Sequence, residues 1–465
     1  MHERFADWLE SNAPDLVELD EIVGYHLEQA YTYRSELGPL DDAARALAPR
    51  AAQRLLAAAK RAIERGDLPA AESMSRRSVL LACSGSTTHR EAQLQLARVL
   101  LAIGEVVGAR EVLKELVASA EHAGDAASLN KARLVEVELR VEHDPTAWMS
   151  EAGVEVAEAE SELARVGDDE GQAWAARLAG NFSAWLGRTD DAERAWARGL
   201  EHARRAGSSG QIAEILAWRC WALWWGPMPA AEGVREADEI IEQATGHPPL
   251  KAIAMVVRGC LKGFQGNIEE GRPQLRAGRA LFFELGDLQH SAGTGMIEAD
   301  LELAAGNPAA ADAVLQESYE FMSKTAGTGY LATVVGFRAV AALDLGREDA
   351  ALALADEVER IASPDDFEPH VRQACVRARV LARRGDHDAA AESIRAAAPV
   401  DKTDYLSLRV YAAISRAEVE RLAGRPDAER AALAEALRLA EAKEDVLTAG
   451  RVREVLGRLN EPVSP

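Results

Sequence analysis

The sequence predicts an all-α fold, a right-handed α-solenoid of about ten helix-turn-helix repeats of 39–40 residues. Three observations indicate this fold: a glycine returns about every forty residues, helical apolar spacing flanks each glycine, and strand patterns are almost absent. A fixed period of this length is typical of stacked repeat proteins, in which each unit packs only on its neighbours. The recurring glycines are Gly66, Gly104, Gly187, Gly226, Gly266, Gly306, Gly346, Gly385 and Gly424.

Each repeat is predicted to contain two amphipathic helices joined by a short turn. Before Gly226, for example, Leu216, Cys220 and Trp224 recur at helical spacing. Glycine suits the end of the first helix, because the chain there often needs a positive φ. Five residues after most of these glycines stands a small residue, usually alanine. We expect it in the first turn of the second helix, at a close crossing where a larger side chain would cost about 1–3 kcal/mol.

One turn in the series lacks its glycine. Gly104 and Gly187 are 83 residues apart, which leaves room for two repeats. The intervening turn is predicted at His143-Asp144-Pro145, so the chain would contain ten turns in all.

The repeats are predicted to span residues 61–459, after a helical lead-in or N-terminal cap at 1–60 and before a frayed tail at 460–465. Residues 1–48 carry three Arg and eleven Asp or Glu, whereas residues 49–100 carry nine Lys or Arg and four Asp or Glu. Two interpretations of this asymmetry remain open. The charges may simply cover solvated helix faces, or the lead-in may dock against the first repeats.

Composition limits the classes of partner and the compartment. A net charge of −23 argues against direct binding of nucleic acid, which attracts basic surfaces. No apolar run reaches the ~18 residues that a membrane span needs, and the N-terminus does not resemble a signal peptide. Four cysteines are scattered along the chain, and reduced buried thiols are favoured over a disulfide. We therefore expect a cytoplasmic protein.

Several segments are similar to tetratricopeptide-type (TPR) repeats, in the longer version found C-terminal to the ATPase module of bacterial class III cyclase-like and LuxR-type signalling ATPases. The repeat turns carry a Gly-x4-Ala pattern, and the helix ends at Glu121–Asp125 and Glu284–Asp287 also resemble those of the family. The lead-in is more specific: HERFADWLE, then Asp20–Asp41 and Glu64–Leu81, resemble the start of such a repeat region. The resemblance covers essentially the whole chain.

The resemblance implies a sensory or scaffolding arm that acts on an ATPase or cyclase module in cis or in trans. The chain itself has no Gly-x4-Gly-Lys-Ser/Thr phosphate loop and no Gly-Lys pair, so the backbone cradle and lysine for nucleotide phosphates are absent. A truncated gene product, a fragment and one partner of a split system all stay open.

The sequence offers no constellation for catalysis, cofactor binding or metal binding. No two histidines stand at i, i+3 or i, i+4, and neither HExxH nor Gly-x-Ser-x-Gly occurs. Acidic pairs such as Asp190-Asp191 and Asp365-Asp366 fall in predicted turns, where carboxylates commonly cap helices. We expect a protein that is not an enzyme.

The tryptophans allow two interpretations. Trp218, Trp221, Trp224 and Trp225 crowd one predicted helix, and the preceding repeat contains Trp174, Trp185 and Trp196. They could fill gaps between alanine-rich helices, or they could form an aromatic anchor on the inner surface, since Trp dominates binding hot spots.

The family pattern implies which residues line the concave face. In such repeats the first helix faces inward, at positions about 13, 10, 6 and 3 residues before the turn glycine. The resulting candidates for partner binding are Trp174, Arg177, Asn181, Met296, Asp300, Arg372 and Arg379.

The leading functional hypothesis is a non-enzymatic scaffold or regulatory module that binds a protein or peptide in its concave groove. The alternative is a repeat domain that senses a small-molecule effector, and an unrecognised enzyme is the third. The sequence does not discriminate between the first two hypotheses.

Overall fold

The computed structural model describes residues 1–144, 146–324 and 329–460, in which all regular structure is helical and no strand occurs. The predicted all-α fold is confirmed. A 3₁₀ helix spans Ala398–Lys402. The α-helices, numbered in chain order, are α1 (His2–Asn12), α2 (Leu19–Leu37), α3 (Asp42–Glu64), α4 (Leu68–Leu81), α5 (Thr87–Ala102), α6 (Val106–Ala123), α7 (Ala126–His143), α8 (Met149–Val166), α9 (Asp169–Trp185), α10 (Thr189–Ala206), α11 (Ser209–Trp225), α12 (Ala230–Gln243), α13 (Pro248–Phe264), α14 (Ile268–Glu284), α15 (Leu288–Gly293), α16 (Gly295–Ala304), α17 (Pro308–Met322), α18 (Gly329–Asp344), α19 (Glu348–Ile361), α20 (Phe367–Arg383), α21 (His387–Ala396), α22 (Leu406–Leu422), α23 (Pro426–Lys443) and α24 (Val446–Asn460).

Helices α3 to α23 form helix-turn-helix pairs, and nine turns between partners lie wholly within the described ranges. The first partner is called the A helix and the second the B helix; α15 and α16 together make one A helix, interrupted at Thr294. The recurring glycines lie at these turns, and all but Gly226 have positive φ, for example 78° at Gly66. The turn without a glycine follows His143, as predicted, although Pro145 lies outside the described residues.

Gly226 needs a correction, because its φ is −78° rather than positive. It precedes Pro227, and a residue before proline is held in extended backbone. Glycine is required here by space instead: a Cβ at this position would lie 2.7 Å from the Ala222 carbonyl oxygen.

The close crossing of A and B helices is confirmed where a glycine replaces the alanine. Gly271 at the start of α14 faces Gly259 in α13, and a Cβ on Gly271 would lie 2.3 Å from the Gly259 carbonyl oxygen. The corresponding alanines of other repeats, such as Ala192 and Ala351, are fully buried. Small side chains therefore let the two helix backbones touch.

The chain forms two compact units. Unit 1 comprises Met1–Leu139 and Glu158–Gln172, and unit 2 comprises Arg140–Ala157 and Ala173–Pro465. The predicted boundaries at residues 60 and 459 stay predictions. Of the predicted tail, residues 461–465 lie outside the described residues. No described helix is both long enough and apolar enough to cross a membrane.

In unit 1 the acidic start of the predicted lead-in, α1 and α2, docks on basic residues of α3, which runs from residue 42 into the first predicted repeat. Arg54 of α3 contacts Asp20 of α2 at 2.6 Å and Glu10 of α1 at 2.8 Å, and Arg61 also pairs with Asp20. The pKa of Asp20 is lowered, because these two guanidinium groups outweigh the effect of burial. The charge asymmetry at the start of the sequence thus reflects docking of the lead-in.

In unit 2 the later repeats contact the earlier ones. Asp365, in the loop before α20, accepts hydrogen bonds from the backbone N–H groups of Met149 and Ser150 at 2.9 Å each. These residues begin α8, so the carboxylate caps a helix that starts 216 residues earlier in the chain. The prediction that Asp365 caps a helix holds, but the capped helix is not the neighbouring one.

The same contact recurs in the next two repeats. Asp404 accepts from Thr189 and Asp190 at the start of α10, at 3.0 Å each, and Glu444 accepts from Ala231 in α12 at 2.7 Å. The acceptors follow each other at 39 and 40 residues, which is the repeat period. Unit 2 therefore coils on itself with an offset of about five repeats, and this return encloses the site described next.

Candidate functional site: an aromatic cleft in unit 2

Unit 2 contains a cleft that is partly open to solvent. Its walls come mainly from A helices and from the segments that precede them, in repeats that the coiling brings together. The residues that line it are Val141, Glu142, Met149, Ala184, Trp185, Trp218, Trp221, Trp224, Trp225, Met296, Tyr330, Ala332, Thr333, Ile361, Ser363, Asp366, Glu368 and Tyr405.

Aromatic rings form most of the wall. Trp185 and Trp218 meet edge to face, with ring centroids 5.3 Å apart. Trp221 stacks on Tyr330 at 5.6 Å. These geometries are the favourable ones for aromatic pairs, since each ring edge is electropositive and each face electronegative. The contacts between separate helices fix the orientation of the rings around the cleft.

A second stack extends the aromatic wall toward the C-terminal repeats. Trp225, at the end of α11, stacks on Tyr405 with the ring centroids 5.5 Å apart. Tyr405 immediately precedes α22, the helix that the coiling of unit 2 brings against α11. The return of the later repeats thus supplies one face of the cleft.

Two buried carboxyl groups line the same cleft. Asp366 is 8% exposed and Glu368 is 6% exposed. Burial raises the pKa of Asp366 well above its usual range, and the neighbouring acids Glu368 and Asp365 add to the rise. Burial also raises the pKa of Glu368, although Arg372 opposes the rise. Both carboxyl groups are therefore held where a charge is costly without a counter-ion.

Glu368 uses only part of its hydrogen-bonding capacity within the protein. Its Oε1 accepts from Arg372, which is itself buried and lies over the ring of Phe337 at 3.5 Å. Its Oε2 is buried and finds no hydrogen-bond partner in the described part of the chain. A carboxylate oxygen that is buried without a donor is uncommon in folded proteins, so this atom calls for an explanation.

Among the predicted binding residues, Trp174, Arg177 and Asn181 on α9 are buried. Arg177 pairs with Glu214 at 3.1 Å, and the Asn181 side-chain oxygen accepts from Trp196 Nε1 at 3.1 Å. None of the three lines the cleft. The geometry gives them a packing role between repeats.

The other four predicted residues lie around the cleft or in the repeats that follow it. Met296 lines it, and Asp300 accepts a hydrogen bond at 2.8 Å from Trp224, a lining residue. Arg372 orients Glu368, as described above. Arg379 lies farther along α20, buried, where it pairs with Glu418 at 2.6 Å and Asp344 at 2.8 Å. Whether any of the seven contacts a partner stays a prediction.

Sequence reasoning singled out the tryptophans of the cleft and Met296 but missed most of the other residues that line it. Tyr330, Tyr405 and Glu368 carry no local signal, because they enter the site only through coiling over about two hundred residues. Asp366 was noted in an acidic pair and interpreted as a helix cap. It occupies the N-cap position of α20, directly before Phe367, and its side chain also lines the cleft.

No group of three or more His, Cys, Asp or Glu residues in the described ranges is placed to hold a metal ion. The four cysteines are free, with Cys83 exposed and the other three buried. The cleft instead combines flat aromatic faces with buried carboxyl groups.

No protein-family model matches the sequence, and no curated protein matches it. Among solved structures, the yeast Tom70 crystal structure is 13% identical, with 99% of this chain and 97% of that chain covered and a TM-score of 0.36. The APC/C hetero-tetramer Cut9-Hcn1 is 12% identical over 93% of this chain and 98% of that chain, with a TM-score of 0.27. At these TM-scores neither superposition bears on what the chain does.

Proposed function

We propose that the chain is a non-enzymatic helical-repeat binding module, which holds a segment of a peptide or protein partner in the aromatic cleft of unit 2. One observation carries the proposal: aromatic rings from helices far apart in sequence converge on one cleft. Concave, mostly apolar sites with a few buried polar groups are typical binding sites. Tryptophan and tyrosine are also the residues that most often anchor an interface.

A small-molecule effector is the second candidate. The composition of the walls favours it, because small-molecule sites are typically apolar and aromatic with a few placed polar groups, as the rings and the buried Asp366 and Glu368 are here. A peptide segment would have to place one or two side chains in the cleft, with its backbone outside.

We further propose that the module is the sensor arm of a bacterial cytoplasmic signalling system, and that occupancy of the cleft biases an ATPase or cyclase module in cis or in trans. The support is the similarity of the lead-in to the start of such repeat regions. The return contacts of Asp365, Asp404 and Glu444 add a physical route, since a ligand that bridges the repeats would strengthen their closure.

The test is a peptide selection with a variant that fills the cleft. Thr333 lines the cleft, and Thr333→Trp places an indole in it. Thr245→Trp makes the same change at an exposed position outside the lining. Peptides from a random displayed library, selected on the full chain, are titrated by calorimetry against all three proteins, after circular dichroism has verified equal helix content.

We expect selected peptides to lose at least tenfold in affinity with Thr333→Trp and none with Thr245→Trp. A metabolite panel is screened in parallel by thermal shift. Shifts that Thr333→Trp removes, without any cleft-dependent peptide, favour the small effector. If neither peptides nor metabolites depend on Thr333, the cleft is not a binding site and the proposal fails.

A further inference from the structure

The cleft combines aromatic faces with acidic groups, and no Lys, Arg or His occurs among its described lining residues. Glu142, Asp366 and Glu368 contribute three carboxyl groups to the lining. Glu368 already pairs with Arg372, so Asp366 is the buried carboxyl group that a neutral or anionic ligand would leave without a counter-charge, which is costly in a dry site. A cation would remove that cost.

The aromatic faces favour the same charge. The face of an indole ring carries negative potential, and tryptophan is the strongest cation–π partner among the side chains. Four of the rings that line the cleft are the indoles of Trp185, Trp218, Trp221 and Trp224, and a fifth belongs to Trp225. Rings that meet edge to face, as Trp185 and Trp218 do, form the corner of a cage.

A cation–π contact already occurs next to the cleft in unit 2. The Arg372 guanidinium lies 3.5 Å from the centroid of the Phe337 ring while it pairs with Glu368. A cation between a ring face and a carboxylate is therefore an arrangement that this fold accommodates in its interior.

The Oε2 atom of Glu368 distinguishes between kinds of cation. Glu368 is more than nine-tenths buried, lines the cleft, and has no donor for Oε2 in the described chain. A primary ammonium or a guanidinium would supply an N–H donor to this oxygen, in a charge-assisted hydrogen bond. A quaternary ammonium would occupy the aromatic faces but leave the oxygen without a donor.

We propose that the cleft binds a cationic amine or guanidinium group with N–H donors, placed between the tryptophan faces and the carboxyl groups of Asp366 and Glu368. This inference rests on the proposed function, since it names the ligand chemistry of the same cleft. The group could belong to a free alkylamine or to a lysine or arginine side chain of a peptide.

The experiment uses the full chain and matched probes. The free cations are n-hexylammonium, n-butylguanidinium and tetramethylammonium. The peptide probes are blocked tripeptides with a central lysine or arginine, and their neutral isosteres contain acetyl-lysine or citrulline. Affinities are measured by calorimetry, and displacement by tryptophan fluorescence.

Asp366→Asn removes one ionisable carboxyl group from the lining of the cleft and keeps the shape of the side chain. Its matched control is Asp349→Asn, in an aspartate that is 96% exposed and outside the lining. Trp218→Leu removes one ring face and keeps the inference testable if Asp366→Asn unfolds. We expect both cleft variants to weaken the cationic probes at least tenfold and the control to leave them unchanged.

The outcomes are distinguishable from those of the general proposal. Binding by lysine or arginine peptides but not by free amines identifies a peptide source, and the reverse identifies a small amine. Equal affinity for the neutral isosteres, or unchanged affinity in Asp366→Asn and Trp218→Leu, overturns the cation inference. If Thr333→Trp still lowers the affinity for such ligands, the cleft remains a binding site. If no probe binds, the cation inference fails, and the peptide selection decides the general proposal by itself.

Discussion

At the scale of single residues, Lys443 shows how the fold uses a buried charge. The residue is 2% exposed at the end of α23, and its Nζ donates to three backbone carbonyls. These belong to Leu223 at 2.7 Å and to Gly226 and Met228 at 2.9 Å each. All three lie at the C-terminal end of α11 or just beyond it, where carbonyl groups lack helical partners. One side chain therefore caps a helix that ended about 220 residues earlier.

Lys443 predicts a specific dependence of stability on pH. Burial lowers its pKa to about 7, against smaller opposing effects of Cys260, Asp300 and Asp445. Between this value and the ordinary value of 10.5, the unfolded chain holds a proton that the folded chain has released. Unfolding free energy should therefore rise with pH over this window, by up to about 1.4 kcal/mol per unit.

The variant Lys443→Met isolates this contribution. It should lower the unfolding free energy by about 1–3 kcal/mol at pH 7, because buried carbonyls lose their donor. It should also lose the rise with pH that the wild type shows between about 7 and 10. Urea titrations followed by tryptophan fluorescence report unit 2, since all the tryptophans except Trp8 lie there. Parallel pH profiles for the two proteins would contradict the assignment.

At the scale of helices, the repeat depends on how closely A and B backbones approach. The crossing of α13 and α14 has glycine on both sides, at Gly259 and Gly271. Such a crossing leaves no volume for a methyl group, whereas a helical glycine in open space only weakens its helix. The same substitution should therefore have opposite effects at the two kinds of position.

Gly271→Ala should destabilise unit 2 by about 1–3 kcal/mol, because its Cβ would overlap the Gly259 carbonyl oxygen. Gly153→Ala in α8 is the matched control, since no atom lies within 4 Å of the added Cβ. It should stabilise by about 0.5–1 kcal/mol through helix propensity. Urea midpoints measure both effects, and a loss of stability in both variants would show that the crossing is not the cause.

At the scale of the molecule, the return contacts decide what unit 2 can bind. Repeats that stack only on their neighbours would leave an open concave surface. Here carboxylates of later repeats cap B helices about five repeats earlier, and α22 packs against α11. The inner face is closed down to a cleft, and the arginines predicted to line it are instead buried in ion pairs. The return contacts therefore set the dimensions of the cleft.

Asp404→Ala should loosen one return contact. Loss of the acceptor for the N–H groups of Thr189 and Asp190 costs about 0.5–2 kcal/mol, as for other caps. Hydrogen exchange at the start of α10 should accelerate by roughly 2- to 30-fold, because exchange follows local opening.

Asp386→Ala is the control for a local cap. Asp386 accepts from Ala389 in its own helix at 3.1 Å. Its removal should accelerate exchange at the start of α21 only. If Asp404→Ala leaves exchange in α10 unchanged, the return contact does not hold that helix.

Much of this structure could be predicted from rules that act within a single repeat. The all-α fold, the turn positions and the small residues at helix crossings follow from the period of the glycines and the apolar spacing, since a helix pair is specified by its own forty residues. The tryptophans of the cleft were also visible as a cluster, although not as one wall of a site. Only the tertiary structure decided that Asp365 caps a distant helix, that Arg372 turns to Glu368, and that Tyr405 meets Trp225. These contacts depend on the small rotation between successive repeats, which accumulates over about five of them and leaves no pattern in any single one.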